Sequence, residues 1–71
     1  MTQNEMILEH LQEGHSLTPR DALEKFGVMR LAARINDLRA AGHPIRTDII
    51  VVPTRVGIAN VAEYSLGEAN A

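Results

Sequence analysis

The chain has 71 residues, which limits it to one small domain with no space for a second core or a large catalytic cavity. Its hydrophobic fraction of 45% is that of a folded chain, no apolar run reaches the length of a membrane span, and the lack of cysteine excludes disulfides, thiolate metal sites and thiol catalysis. The net charge of −2 is unevenly spread: residues 20–55 hold all seven cations (Arg20, Lys25, Arg30, Arg34, Arg39, Arg46, Arg55) against Asp21, Glu24, Asp37 and Asp48, and both ends are acidic. Phe26 and Tyr64 are the only aromatic residues besides histidine, so a base-stacking platform for single strands is not expected. The first residues lack the basic and apolar pattern of a secretion signal, and the expected compartment is a bacterial cytoplasm or nucleoid.

Thr2-Gln3-Asn4-Glu5 has capping-box spacing, and Ile7, Leu8 and Leu11 follow on one arc. They predict a first helix at about residues 3–13, stopped by Gly14. Glu5, Glu9 and Glu13 form a solvated stripe. Met6 falls off the apolar arc beside His10, either as a lone exposed residue or as part of a subunit contact.

Thr18-Pro19-Arg20-Asp21 places an N-cap, a proline at the first helical position and an acid facing the helix dipole. A short second helix is expected at 18–26, ended by Gly27, with Leu17 stapled against Leu23. Val28, Leu31, Ile35 and Leu38 then repeat with a helical period. They predict a third helix at about 29–41, closed by Gly42 and Pro44. Its far side is read as Arg30, Ala33, Arg34 and Asp37, with Met29 and Asn36 at the margin.

After Ile45 the period changes to β. Strands are expected at about 46–52 and 59–66, with a tip at 53–58 and a flexible tail at 67–71. Ile49-Ile50-Val51-Val52 has no polar alternation, so both faces of that strand need cover, one of them from the helices and the other from a second subunit or a partner. The expected core is Leu11, Leu23, Phe26, Leu31, Ile35, Leu38, Tyr64 and Leu66.

Three helices with a tight glycine turn between the second and third, followed by a hairpin, make a mainly α (α+β) winged helix-turn-helix plan in one domain over residues 1–66. Its third helix presents a polar face to the major groove. Arg30 and Arg34 are candidates for guanine or phosphate, Ala33 for close approach, and Met29, Asn36 and Asp37 for flanking contacts. Thr18 and Arg20 are candidates for a phosphate at the second helix, and Arg46 and Arg55 for the wing. Two simpler readings stand beside these: Arg34 paired with Asp37 at i+3, and Arg39 covering the domain instead of reaching a phosphate. His10, His15 and His43 have no metal-ligand spacing, and Ser16 and Ser65 have no catalytic setting. Metal, cofactor, small-molecule substrate and enzymatic activity are therefore not expected.

The runs Leu17-Thr18-Pro19, Ala22-Leu23, Phe26-Gly27-Val28, Arg30-Leu31-Ala32, Arg34-Ile35, Leu38-Arg39, Gly42 and Pro44-Ile45 resemble a small winged helix-turn-helix family common in bacteriophages and prophages. Ala62-Glu63-Tyr64-Ser65-Leu66 resembles the close of its wing, and the resemblance spans about residues 5–66. It implies a winged helix-turn-helix fold and double-stranded DNA as partner. The tip departs from the pattern: relatives tend to carry Lys, Asn and Gly there, whereas Pro53-Thr54-Arg55-Val56-Gly57-Ile58 has one cation. Two function classes follow: a sequence-specific DNA-binding regulator or excisionase-like factor, with a homodimer as candidate assembly, and a winged-helix module that binds protein, as an adaptor or as an inhibitor of a host nucleic-acid enzyme.

Overall fold

In the computed structural model, which describes residues 1–67, the chain runs α1 (Gln3–Gln12), α2 (Pro19–Phe26), α3 (Leu31–Ala40), β1 (Ile45–Thr54) and β2 (Gly57–Leu66). Of the expected tail, 68–71 lie outside the described residues, and Gly67 is not loose: its N–H donates to the Pro44 carbonyl.

Both capping boxes form. Thr2 Oγ1 accepts from Glu5 N–H at 3.1 Å, and the Glu5 carboxylate accepts from Thr2 N–H at 2.8 Å. Thr18 and Asp21 repeat the arrangement at 3.1 and 3.3 Å. Each box supplies partners to main-chain donors that the first helical turn leaves unpaired. Gly27 ends α2 in the left-handed region, at φ 68°.

α3 starts at Leu31 instead of residue 29. Once Gly27 has turned the chain, Val28 N–H bonds back to the Ala22 carbonyl at 3.1 Å and the Val28 side chain enters the core. The turn must first seat Val28, so Val28 shares the helical period of Leu31 and Ile35 without belonging to their helix. Arg30 becomes the N-cap position, and its side chain makes no capping bond.

The hairpin is longer than the expected 46–52 and 59–66. Thr54 pairs with Gly57, leaving only Arg55 and Val56 at the tip, and Pro53 stands within the ladder opposite Ile58. Gly57, just after the tip, has φ 140°, a conformation that favours glycine. Pro53 is tolerated because of the ladder's phase. Tyr64 exchanges both main-chain hydrogen bonds with Leu17, at 2.8 Å each, so its partner Thr47 also directs its N–H and C=O away from β2. Alternate residues Ile45, Ile49, Val51 and Pro53 do the same, and the N–H that proline lacks is one β2 never uses.

The core is Ile7, Leu11, Leu17, Ala22, Val28, Leu31, Ile35, Leu38, Ile45 and Tyr64, with Leu8, Phe26, Ala62 and Leu66 packed against it. Phe26 and Leu66 are thus half-buried, and Leu23, expected inside, is 50% exposed. On a two-turn helix only one arc faces inward, here Ala22 and Phe26, and Leu23 is turned about 100° away. The residue one turn after the Thr18 cap that joins Leu17 in the core is therefore Ala22.

Candidate nucleic-acid interface

The buried arc of α3 is Leu31, Ile35 and Leu38. Rotation by about 100° per residue puts Ala33, Asn36, Asp37 and Ala40 opposite that arc, with Ala32 and Arg39 on one flank and Arg34 on the other. Burial agrees: Ala32, Asn36, Asp37, Arg39 and Ala40 are exposed, Ala33 is half-buried, and Arg34 is half-buried on the side of α1. The outward strip is slender, with Ala33 and Ala40 flanked by Asn36 on one shoulder and Asp37 on the other, and Asn36 is the group there able to read a base edge in bidentate fashion. Reading the wheel from the centre of the apolar arc, instead of from Arg30, puts Ala33 and Ala40 at the middle of the strip and Asn36 about 50° to one side.

Arg34 does not sit in the middle of that strip. Its Nη2 contacts Asp37 Oδ2 at 3.2 Å, and the same oxygen accepts from Asn4 Nδ2 at 3.5 Å. The three residues tie the start of α1 to the middle of α3. The simpler reading of Arg34 as the i+3 partner of Asp37 is what the geometry displays. Among the described residues Arg34 Nε and Asn4 Oδ1 are buried without a hydrogen-bond partner, so the network has unfilled polar capacity.

Arg30 and Met29 are exposed in the turn before α3, and with Gln3, Gly27 and Arg34 they line a shallow open depression. The first turn of α2 is less open to an anion than its sequence suggests. Thr18 Oγ1 is engaged as a cap, the Asp21 carboxylate already stands at the helix N-terminus, and Arg20 is paired with Glu24 at 3.3 Å. On the hairpin, Arg46 is paired with Asp48 at 3.3 Å, and Arg55 is exposed at the tip.

Arg39 acts within the fold. Its Nε and Nη2 both donate to the Ile45 carbonyl, at 3.1 and 2.8 Å, and Nη2 also donates to Thr47 Oγ1 at 2.7 Å. Among the described residues Lys25, Arg30 and Arg55 make no ion pair. Lys25, in the last turn of α2 and exposed, was not singled out by the sequence reading. All three stand outside the regular part of α3, in the elements that flank it.

His10, Glu13 and His15 come together where α1 ends, an arrangement the histidine spacing does not suggest because the chain turns between them. Their ligand atoms lie within 4.8 Å of one another, whereas a tetrahedral shell with bonds of ~2.1 Å separates its donors by about 3.4 Å. The His10 and His15 rings stack at 4.7 Å, and His10 meets Phe26 edge-on at 5.4 Å. The ring contacts account for the cluster as packing between α1, the following turn and α2.

The order of elements, the left-handed turn before α3 and the two-residue wing tip together define the architecture that a family model described as a winged helix-turn-helix domain matches over residues 2–69. No curated protein and no solved structure matches the chain significantly. Three helices, a glycine turn and an antiparallel wing in this order, under a family match spanning nearly every residue, place the chain in the winged helix-turn-helix domain family.

Proposed function

We propose that the chain is a sequence-specific double-stranded DNA-binding protein, a small transcriptional regulator or architectural factor of the kind phages and prophages encode. Membership of the winged helix-turn-helix family supports DNA binding in general. The observation that carries the finer reading is the outward strip of α3. Ala32, Ala33 and Ala40 leave the backbone free to approach base edges closely, and Asn36 has the donor–acceptor pair that matches adenine. Arg30 enters from the start of the helix toward a guanine or a phosphate, Lys25 from the end of α2, and Arg55 from the wing.

With few unpaired cations, one subunit neutralises few phosphates and binds weakly at physiological salt. Tight binding then takes two subunits on half-sites spaced about one helical turn, roughly 10 bp, apart. The test is binding of the purified protein to DNA from around its own coding region, against unrelated DNA, at two salt concentrations. A preference for its own region that persists at the higher salt supports the reading. Equal, weak and strongly salt-dependent binding to both reduces it to non-specific association.

The second reading, a module that binds protein, is favoured by one observation. The projecting hairpin exposes Ile49, Val51, Val56 and Ile58, while Asp37 interrupts the α3 strip with an acid. It gains if the folded protein shows no affinity for duplex DNA at low salt.

A further inference from the structure

The outer edge of β1 carries the signature of a strand that pairs with a second copy of itself. This inference rests on the two-subunit reading above and names the surface that joins the subunits. Among the described residues the edge presents the unpaired main-chain groups of Thr47, Ile49 and Val51, the alternate residues of β1 that the Leu17–Tyr64 bonds show to face outward. Ile49 and Val51 are 65% and 60% exposed, and their side chains lie on the same face of the hairpin as Ile58, at 75%. An exposed, β-branched edge of this kind is open to pairing unless something blocks it.

Both ends of the edge are already dealt with, and in complementary ways. At one end the Ile45 carbonyl points outward but is filled by two N–H groups of Arg39. At the other end Pro53 points outward with no N–H to give. We propose that two copies join by antiparallel β1–β1 pairing about a two-fold axis at Ile49, forming a four-stranded sheet. In that register Ile49 faces its own counterpart, Thr47 faces Val51 of the second copy, and Ile45 faces Pro53 of the second copy. The carbonyl that needs no donor thus meets the residue that has none. The outward groups of Thr47, Ile49 and Val51 are all satisfied, by about six main-chain hydrogen bonds.

Other registers waste this match. Sliding the second copy so that the axis moves toward Val51 sets Pro53 against Thr47 or Ile49, whose carbonyl loses its donor. Sliding toward Thr47 directs the N–H of Ile49 or Val51 at the filled Ile45 carbonyl. In the proposed register no like charges are opposed, since Arg46 faces Val52 and Asp48 faces Ile50. The outer edge of β2 turns Ile58, Asn60 and Ala62 outward, and beyond them Tyr64 is taken by Leu17, so its ends have no such match.

The test uses the whole chain without DNA, so its failure is separable from failure of the DNA-binding reading. Sedimentation equilibrium is expected to show a concentration-dependent dimer, and Ile49→Lys, which sets two like charges face to face, is expected to give a folded monomer. Because the chain contains no cysteine, single-cysteine variants report the register directly. Ile49→Cys is expected to form a disulfide-linked dimer on oxidation, the facing Cα atoms being about 5.5 Å apart. Val51→Cys alone is expected to stay unlinked, and Thr47→Cys/Val51→Cys to link. A wild-type chain that remains monomeric at hundreds of micromolar overturns the proposal. So does a dimer that survives Ile49→Lys, or cross-linking of Val51→Cys in preference to Ile49→Cys.

Discussion

Leu17 and Tyr64 exchange two main-chain hydrogen bonds of 2.8 Å, so the residue just before the α2 cap is paired to the edge of the wing. This bridge binds the helix-turn-helix to the hairpin at its base. It is in phase with the ladder that the two-residue tip closes, and it shows which residues of β1 look outward. Both side chains are in the core. The bridge gives the small domain a cross-link in place of the extra core that a larger chain would have.

Stability is expected to depend on α1, α3 and the bridge more than on α2. Ile35→Ala, at a fully buried position, is expected to cost about 2–5 kcal/mol, a large part of the margin of so small a domain. Leu23→Ala, at a half-exposed position, is expected to cost well under about 1 kcal/mol. Urea denaturation of the two variants checks the contrast, and equal losses would mean that α2 packs more deeply than described.

Arg39→Ala is expected to destabilise the fold by about 1–3 kcal/mol, because the outward Ile45 carbonyl then loses both of its donors. Arg39→Lys is expected to restore only part of this, since an ammonium cannot reproduce the guanidinium fork that spans Ile45 and Thr47. Thermal melting of the three proteins decides it. A wild-type melting point for Arg39→Ala would make the contact incidental.

For DNA, Asn36→Ala and Arg30→Ala are each expected to weaken binding to the preferred site by about 1–3 kcal/mol while changing non-specific binding much less. Arg55→Ala is expected to weaken preferred and unrelated sites alike and to lower the salt slope by about 0.9. Arg34→Ala is expected to act differently again. It opens the Asn4–Arg34–Asp37 network, so its loss of affinity comes with a lower melting temperature. A fluorescence-anisotropy titration beside a melting curve separates the three patterns.

Glu5 links α1 to pH. The hydrogen bonds it accepts from Thr2 hold its carboxyl below the ordinary value of 4.5. A carboxyl depressed in the folded state stabilises the fold above its unfolded value, and that stabilisation is lost as pH falls through the folded one. The first turn of α1 is therefore expected to lose protection against amide exchange as the solution is acidified below about pH 4.5. Glu5→Gln, measured by the same exchange experiment, is expected to show less of this dependence.

The helices and the hairpin were legible in the sequence for local reasons. Thr2–Glu5 and Thr18–Asp21 are caps whose partners lie three residues apart, and Gly14, Gly27 and Gly42 take positive φ where each helix ends. The family resemblance and the Arg34–Asp37 pair were legible for the same reason, since both rest on near neighbours in the chain. Tertiary structure alone decided the burial of Leu17 and the exposure of Leu23, because which arc of a two-turn helix faces inward depends on what it packs against. It also drew Met29 and Arg30 out of α3 and turned Arg39 onto Ile45. The Leu17–Tyr64 bridge, which joins the hairpin to the helices, forms between residues far apart in the chain. Local pattern specifies where hydrogen-bonded elements begin and end, whereas the side of each element that meets solvent is set by contacts that close long loops, and those contacts leave no period in the sequence.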